Sequence, residues 1–293
     1  MNWTKRRERC RALLAGERCI HPGSVFDPIS ARIAEDLGFE MGIFAGSIAS
    51  FTVLGAPDLI LLTLTEFAAQ AYRITRAGNL PLLVDADHGY GNALNVKRTV
   101  EELETAGVAA IMIEDTLLPA QFGKAGKTEL IAIEEGVGKM RAALGGRQDK
   151  DLVIVGRTGA LAVNGLADAI ARGKAYEKAG VDALFFLGVK TKNELDAIAD
   201  AVSLPILLGG AGPEVVDLDY LSAHKVRVCL QGHQPFMAAV NAVYETLKAI
   251  RAGAKPSALA GVAPAELMKQ VTRDADYARW TAAFLGAEAP TRS

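Results

Sequence analysis

Asp85 and Asp87 stand two residues apart at the end of an apolar run, Leu80-Pro81-Leu82-Leu83-Val84, and are followed by His88, Gly89, Tyr90 and Gly91. A strand alternates faces with period two, so a strand through this run sends both carboxylates to one side. The run carries no polar side chain, as expected of a parallel strand covered on both faces. Two like charges at the end of a buried strand repel unless a positive charge compensates them. A hard divalent cation does this through oxygen ligands, and Mg2+ keeps several waters while taking one or two carboxylates directly. The pattern predicts Asp85 as the direct Mg2+ ligand, with Asp58, Asp87 and Glu114 holding the metal's waters, and with Mn2+ able to substitute. The bland alternative is a solvated Asp-rich turn.

Three further candidates share the positional logic. Arg157 is a lone cation at the end of the apolar run Leu152–Val155, and a guanidinium fork matches a carboxylate bidentately. Its alternative role is to pair only with Glu114 or Asp85. Gly46 and Ser47 offer backbone amides and one hydroxyl where a glycine lets a ligand approach closely. His233 follows Gly232 and can donate a hydrogen bond or move a proton. Gly89-Tyr90-Gly91 is not a dinucleotide fingerprint, because Leu94 stands where a third glycine belongs and acids precede the turn. A GxxxxGK[ST] phosphate loop is also absent from the sequence.

Eight strand–helix units position these residues. Expected strands are Cys19–Phe26, Phe39–Phe44, Leu80–Val84, Val108–Ile113, Leu152–Val155, Asp182–Leu187, Pro205–Leu208 and Val226–Leu230, alternating with helices. Such alternation implies a parallel sheet, and eight units suggest a (β/α)8 barrel of the TIM type with C-terminal helices. The polar candidates then fall at strand C-termini, the face on which barrel enzymes carry their sites. The expected division is a barrel over 1–251 and a C-terminal helical extension over 252–293. Thr116–Leu130 lacks any period and contains Gly123 and Gly126, the signature of a lid or a disordered loop.

Composition excludes several classes. The 293 residues are 50% hydrophobic and 23% charged, with a formal net charge of -2, which gives no reason to expect a nucleic-acid or anionic-membrane partner. Cys10, Cys19 and Cys229 lie far apart without CxxC spacing, which argues against a disulfide framework or a zinc site and fits a reducing cytosol. No apolar run approaches a membrane span, and the charged N-terminus does not read as a signal peptide. A cytoplasmic enzyme of a small molecule is expected.

The stretches Ser24-Val25-Phe26-Asp27-Pro28, Asp85 to Val96, Ile113-Glu114-Asp115 continuing to Gly123, Gly156-Arg157-Thr158 and Gly232-His233 resemble the isocitrate lyase/phosphoenolpyruvate mutase superfamily. The resemblance spans about Arg18 to Leu247 and is nearest to the bacterial oxaloacetate decarboxylase family. It implies a (β/α)8 barrel, Mg2+, a gating loop after the fourth strand, and an α-keto- or α-hydroxy-carboxylate substrate. It also implies a homotetramer, a dimer of dimers, in which the last barrel helix is exchanged between subunits. By this likeness Ser47, Arg157 and His233 match substrate-binding positions and Asp85 matches the metal ligand. Two departures stand out: Gly159 replaces the usual Asn after Arg-Thr, and Ala120-Gln121-Phe122-Gly123-Lys124 lacks the Cys and His of the lyase branch's gating loop.

The expected reaction is Mg2+-dependent decarboxylation of oxaloacetate, an α-keto dicarboxylate, to pyruvate and CO2. Alternatives are C–C cleavage of a methylisocitrate- or dimethylmalate-like hydroxy acid, and a barrel that binds a keto acid without turning it over. Phe122 separates the first two, since cleavage needs an acid to protonate a carbanion equivalent and Phe cannot supply a proton.

Overall fold

The computed structural model describes residues 2–124 and 126–286. Its framework is eight strands: β1 (Gly23–Ser24), β2 (Gly42–Phe44), β3 (Leu82–Asp85), β4 (Ala110–Glu114), β5 (Val153–Thr158), β6 (Ala183–Leu187), β7 (Ile206–Gly209) and β8 (Val226–Cys229). They pair in chain order, every neighbour parallel. A parallel bridge between Ile20 and Val228 brings the two edges together. It is made by Ile20 N–H to Arg227 O and Cys229 N–H to Ile20 O, both 2.9 Å. The sheet thus curls round on itself in the TIM-type arrangement expected from the eight units.

Each strand–helix junction is set locally. Asp27 caps the helix Pro28–Asp36: its carboxylate accepts from Ser30 N–H at 2.7 Å, and Ser30 Oγ accepts from Asp27 N–H at 3.0 Å. Asn92 caps Ala93–Thr105 in the same reciprocal way with Asn95. The first strand is shorter than the expected Cys19–Phe26. Pro22 interrupts that run and has no N–H to give to a ladder, so only the Ile20 bridge and Gly23–Ser24 remain regular. After β2 the chain turns directly into a short helix, Gly46–Ala49, and a wider helical turn, Ser50–Leu54, neither of which shows a period in so few residues.

The inward faces fill the interior with aliphatic and aromatic groups. Leu83, Met112, Val155, Phe185, Leu207 and Val228 belong to one cluster, each at most 2% exposed. At roughly 25 cal/mol per Å2 of apolar surface removed from water, this cluster is a main source of stability.

Two compact units can be distinguished, one through Gln234 and one from Pro235. The second contains the helices Gln234–Arg251, Ala265–Thr272 and Asp274–Leu285. The 234–251 helix buries none of its residues, leaving Val243, Tyr244 and Leu247 exposed. The stretch 287–293 of the expected C-terminal extension lies outside the described residues, as does Ala125 of the expected lid. Among the described residues no helix is long and apolar enough to cross a membrane.

Candidate active site

The chemistry-bearing residues continue the inward face of the core by one pleat repeat. On β3 Leu83 is followed two residues later by Asp85, on β4 Met112 by Glu114, and on β5 Val155 by Arg157. Side chains two apart share a face, so the strands that pack the interior also deliver two acids and a cation to its C-terminal mouth. Glu114 and Arg157 are direct cross-strand partners.

These groups line a cavity of about 380 Å3, together with Ser47, Asp58, Asp87 and His233, a size suited to a small ligand. Gly46 is the one predicted residue that does not line it. It serves instead by what it lacks, since a Cβ there would stand 2.3 Å from Asp87 Oδ2. Apolar side chains complete the lining, among them Leu118 and Ala120 from the loop after β4 and Phe185, Leu187 and Leu230 from the strand ends.

Arg157 is tied to both acids. Nη1 donates to Asp85 Oδ2, and Nη2 lies 3.1 Å from Glu114 Oε2. Its guanidinium also lies 5.5 Å from the Phe185 ring centroid, within cation–π range. The pairing that was the alternative to a substrate anchor is therefore present, on a side chain that also faces the cavity. Burial works against its charge, but Asp85, Glu114 and Asp87 outweigh it and hold Arg157 ionised.

Asp87 follows β3 in a left-handed conformation, φ +49°, yet it faces the same cavity as Asp85. Its N–H donates to Asp85 Oδ1 at 3.3 Å, and its carbonyl accepts from Glu114 N–H at 2.8 Å. Below it, Lys139 Nζ donates to His88 O at 2.8 Å and Thr99 Oγ1 to Gly89 O at 3.0 Å, both buried. The turn is held from beneath while its carboxylate stays at the cavity.

Asp87, Glu114 and Asp58 resist ionisation. Burial first, then the charges of Asp85, Glu114 and Asp58, push the Asp87 carboxyl well above the usual range, with Arg157 opposing only in part. Burial raises Glu114 against the pull of Arg157, and burial with Asp85 raises Asp58. Four carboxyls facing one guanidinium fit a further hard cation in chemistry and charge. Among the described residues no three acid, imidazole or thiol groups form a ready protein-only metal cage. One direct carboxylate with others acting through water needs no such cage.

His233 is hydrogen-bonded through Nδ1 to Ser24 Oγ at 2.8 Å. Burial lowers its basicity and Asp85 partly restores it. Ser24 was not foreseen. Its signal was its place at the end of β1, but the contact joins residues 209 apart and depends on the sheet closing.

The loop after β4 has defined stems. Thr116 and Leu130 form an antiparallel bridge, and Leu117 N–H donates to Glu129 O at 2.8 Å. Phe122, expected to hold the place of a proton donor, is fully exposed, and Leu118 and Ala120 face the cavity in its stead. A side chain's place in an irregular loop is not set by any local period. All three cysteines are buried and none lines the cavity. Burial pushes the Cys10 and Cys19 thiols up to about 12 and Cys229 to about 11, so none is a ready acid or nucleophile.

The family model of phosphoenolpyruvate phosphomutase matches residues 11–251. The chain is 60% identical over 286 residues to a protein of Bradyrhizobium diazoefficiens named oxaloacetate decarboxylase, covering 98% of this chain and 99% of that one. Among solved structures it is similar to a phosphonopyruvate hydrolase in complex with oxalate and Mg2+, with a TM-score of 0.85 and 29% identity over 96% of this chain and 99% of the other. It is also similar to an oxaloacetate acetylhydrolase bound to 3,3-difluorooxalacetate, with a TM-score of 0.84 and 27% identity over 98% and 99%.

Proposed function

Because the chain belongs to the phosphoenolpyruvate phosphomutase family, we propose that its cavity decarboxylates oxaloacetate to pyruvate and CO2. Asp85 directly, and Asp58, Asp87 and Glu114 through water, would hold a divalent cation, Mg2+ or Mn2+, which supplies positive charge where the enolate develops. Arg157 supplies a second positive charge and donates to the carboxylate next to the keto group. Ser47 contributes its hydroxyl and amide to that end of the substrate, and Gly46 keeps Asp87 free to face it. His233, oriented by Ser24, donates to the keto oxygen or protonates the enolate carbon. The C3–C4 bond breaks, its electron pair moves into the enolate, and CO2 leaves without a proton.

The observation that carries this reading over C–C cleavage is the lid wall. The loop turns Leu118 and Ala120 to the cavity, and neither can protonate a carbanion. An apolar wall serves a carboxylate leaving as neutral CO2, because it withholds the water that stabilises the charged group. Exposed Val243, Tyr244 and Leu247 on the 234–251 helix support exchange of that helix between subunits, in a homotetramer built as a dimer of dimers. Three free cysteines support a cytoplasmic location.

Steady-state turnover of oxaloacetate with Mg2+, beside methylisocitrate and phosphonopyruvate, tests the assignment. Pyruvate and CO2 from oxaloacetate, with no measurable cleavage of methylisocitrate, is the expected result. Succinate and pyruvate released from methylisocitrate at a comparable rate would overturn it.

A further inference from the structure

A buried guanidinium outside the cavity joins the two ends of the lid. Asp168, Arg172 and Tyr176 recur every fourth residue on the helix Leu166–Ala179 and so share one face. Arg172 is 4% exposed and Tyr176 fully buried. Arg172 Nη1 donates to Asp115 Oδ2 and to Ile131 O, both at 3.0 Å. Tyr176 Oη donates to the same Asp115 oxygen at 2.7 Å, while Arg172 Nε is held by Asp168 Oδ2 at 2.9 Å. Asp115 precedes the lid and Ile131 follows it, and the two meet directly, Ile131 N–H to Asp115 O at 2.9 Å. The helix that follows the lid, Ile133–Gly146, is drawn close to the same cluster: a Cβ on Gly136 would stand 2.4 Å from Tyr176 Oη.

Asp115 is fully buried, and its Oδ2 accepts from both Arg172 and Tyr176. Removing one partner from such a cluster strands the other, unlike the loss of a surface pair. Asp115 is also the immediate neighbour of Glu114, which pairs with Arg157 at the cavity. The cluster is thus placed to fix both lid roots and one wall of the site.

We propose that Arg172 is a positioning residue that pins the two roots of the 116–130 lid, so that the loop between them closes over the cavity from fixed hinges. The proposal rests on the reading of that loop as a lid over a keto-acid site. The pins act at Asp115 and Ile131, and the segment between them keeps its own ties, the Thr116–Leu130 bridge and the Lys124–Glu129 ion pair at 2.8 Å.

Hydrogen exchange and kinetics of Arg172→Met, Arg172→Lys and Tyr176→Phe test this. In free Arg172→Met the Ile131 amide, which bonds Asp115 O, should exchange about tenfold faster or more, since that closing contact is released. Oxalate, which should slow exchange across the lid of the parent enzyme, should lose that protection. We expect kcat/KM for oxaloacetate to fall about ten- to a hundredfold, the scale of a misplacement remote from the chemistry, with KM carrying most of the change. Arg172→Lys should restore part of the protection. Tyr176→Phe, which keeps the ring and removes one hydrogen bond, should show the same effects in smaller measure, and it keeps the test valid if Arg172→Met does not fold. Root exchange and oxalate protection unchanged from the parent in the variants would overturn the proposal alone. A parent lid indifferent to oxalate would remove the lid reading, and the proposal with it.

Discussion

Within three adjacent strands, residues two positions apart do opposite work. Leu83, Met112 and Val155 are at most 1% exposed and belong to the apolar interior. Asp85, Glu114 and Arg157, one pleat repeat further on, form the ionic mouth. The lower layer stabilises the fold by leaving water. The upper layer gathers carboxyls whose burial and mutual repulsion raise Asp87 and Glu114 above their ordinary range, an arrangement that weakens the fold and suits a cation and an anionic substrate. Stability and chemistry are thus separated by one step along a strand, and substitutions in the two layers should separate them experimentally.

The largest effect is expected at Asp85. Asp85→Ala should lower turnover of oxaloacetate about 10^3-fold or more, and EDTA should do the same to the parent, because charge stabilisation of the enolate is lost. Circular dichroism and the melting temperature should stay near the parent values. Near-normal turnover, or a parent indifferent to EDTA, would contradict the metal role. Arg157→Ala should follow, with kcat/KM down about 10^2- to 10^3-fold.

Met112→Ala tests the lower layer. It removes a fully buried side chain and should destabilise the fold by about 2–5 kcal/mol in urea melts, with activity per folded molecule changed far less than by Arg157→Ala. A variant that keeps its stability but loses its turnover would break the separation between layers. Smallest is Phe122→Ala. The ring is fully exposed, so kcat should change less than about threefold, in line with a surface substitution. A loss approaching that of Arg157→Ala would place the ring over the substrate.

What was legible in the sequence follows the same division. The apolar run ending in Asp85 announced both β3 and its carboxylate, because period two fixes which side chains share a face. The helix Leu166–Ala179 stops where the sequence offers Gly180, which takes a positive φ as its C-cap. The first strand was overread because Pro22 acts against an otherwise apolar pattern. The Ser24–His233 and Arg172–Asp115 contacts were not legible, since they join residues 209 and 57 apart and exist only once the sheet has closed and the helices have packed. Phe122 reads as a side chain unable to supply a proton, but its exposed position is not legible, because no local period sets where an irregular loop places a ring.

The mouth holds more negative charge than the fold alone would choose. A carboxyl raised in the folded state binds protons that the unfolded chain has released. Stability contributed by its protonated form is therefore present at low pH and is lost as pH rises from the ordinary carboxylate value toward the raised one. Asp87 is pushed furthest in this direction by burial and by Asp85, Glu114 and Asp58. The direct measurement is the melting temperature of Asp87→Asn and the parent against pH, in EDTA, with oxaloacetate turnover in Mg2+ measured on the same preparations. We predict that Asp87→Asn melts higher than the parent at neutral pH, shows a shallower decline of stability with rising pH, since Glu114 and Asp58 remain raised, and turns over more slowly. A variant that melts lower across the whole range and keeps its activity would contradict the account.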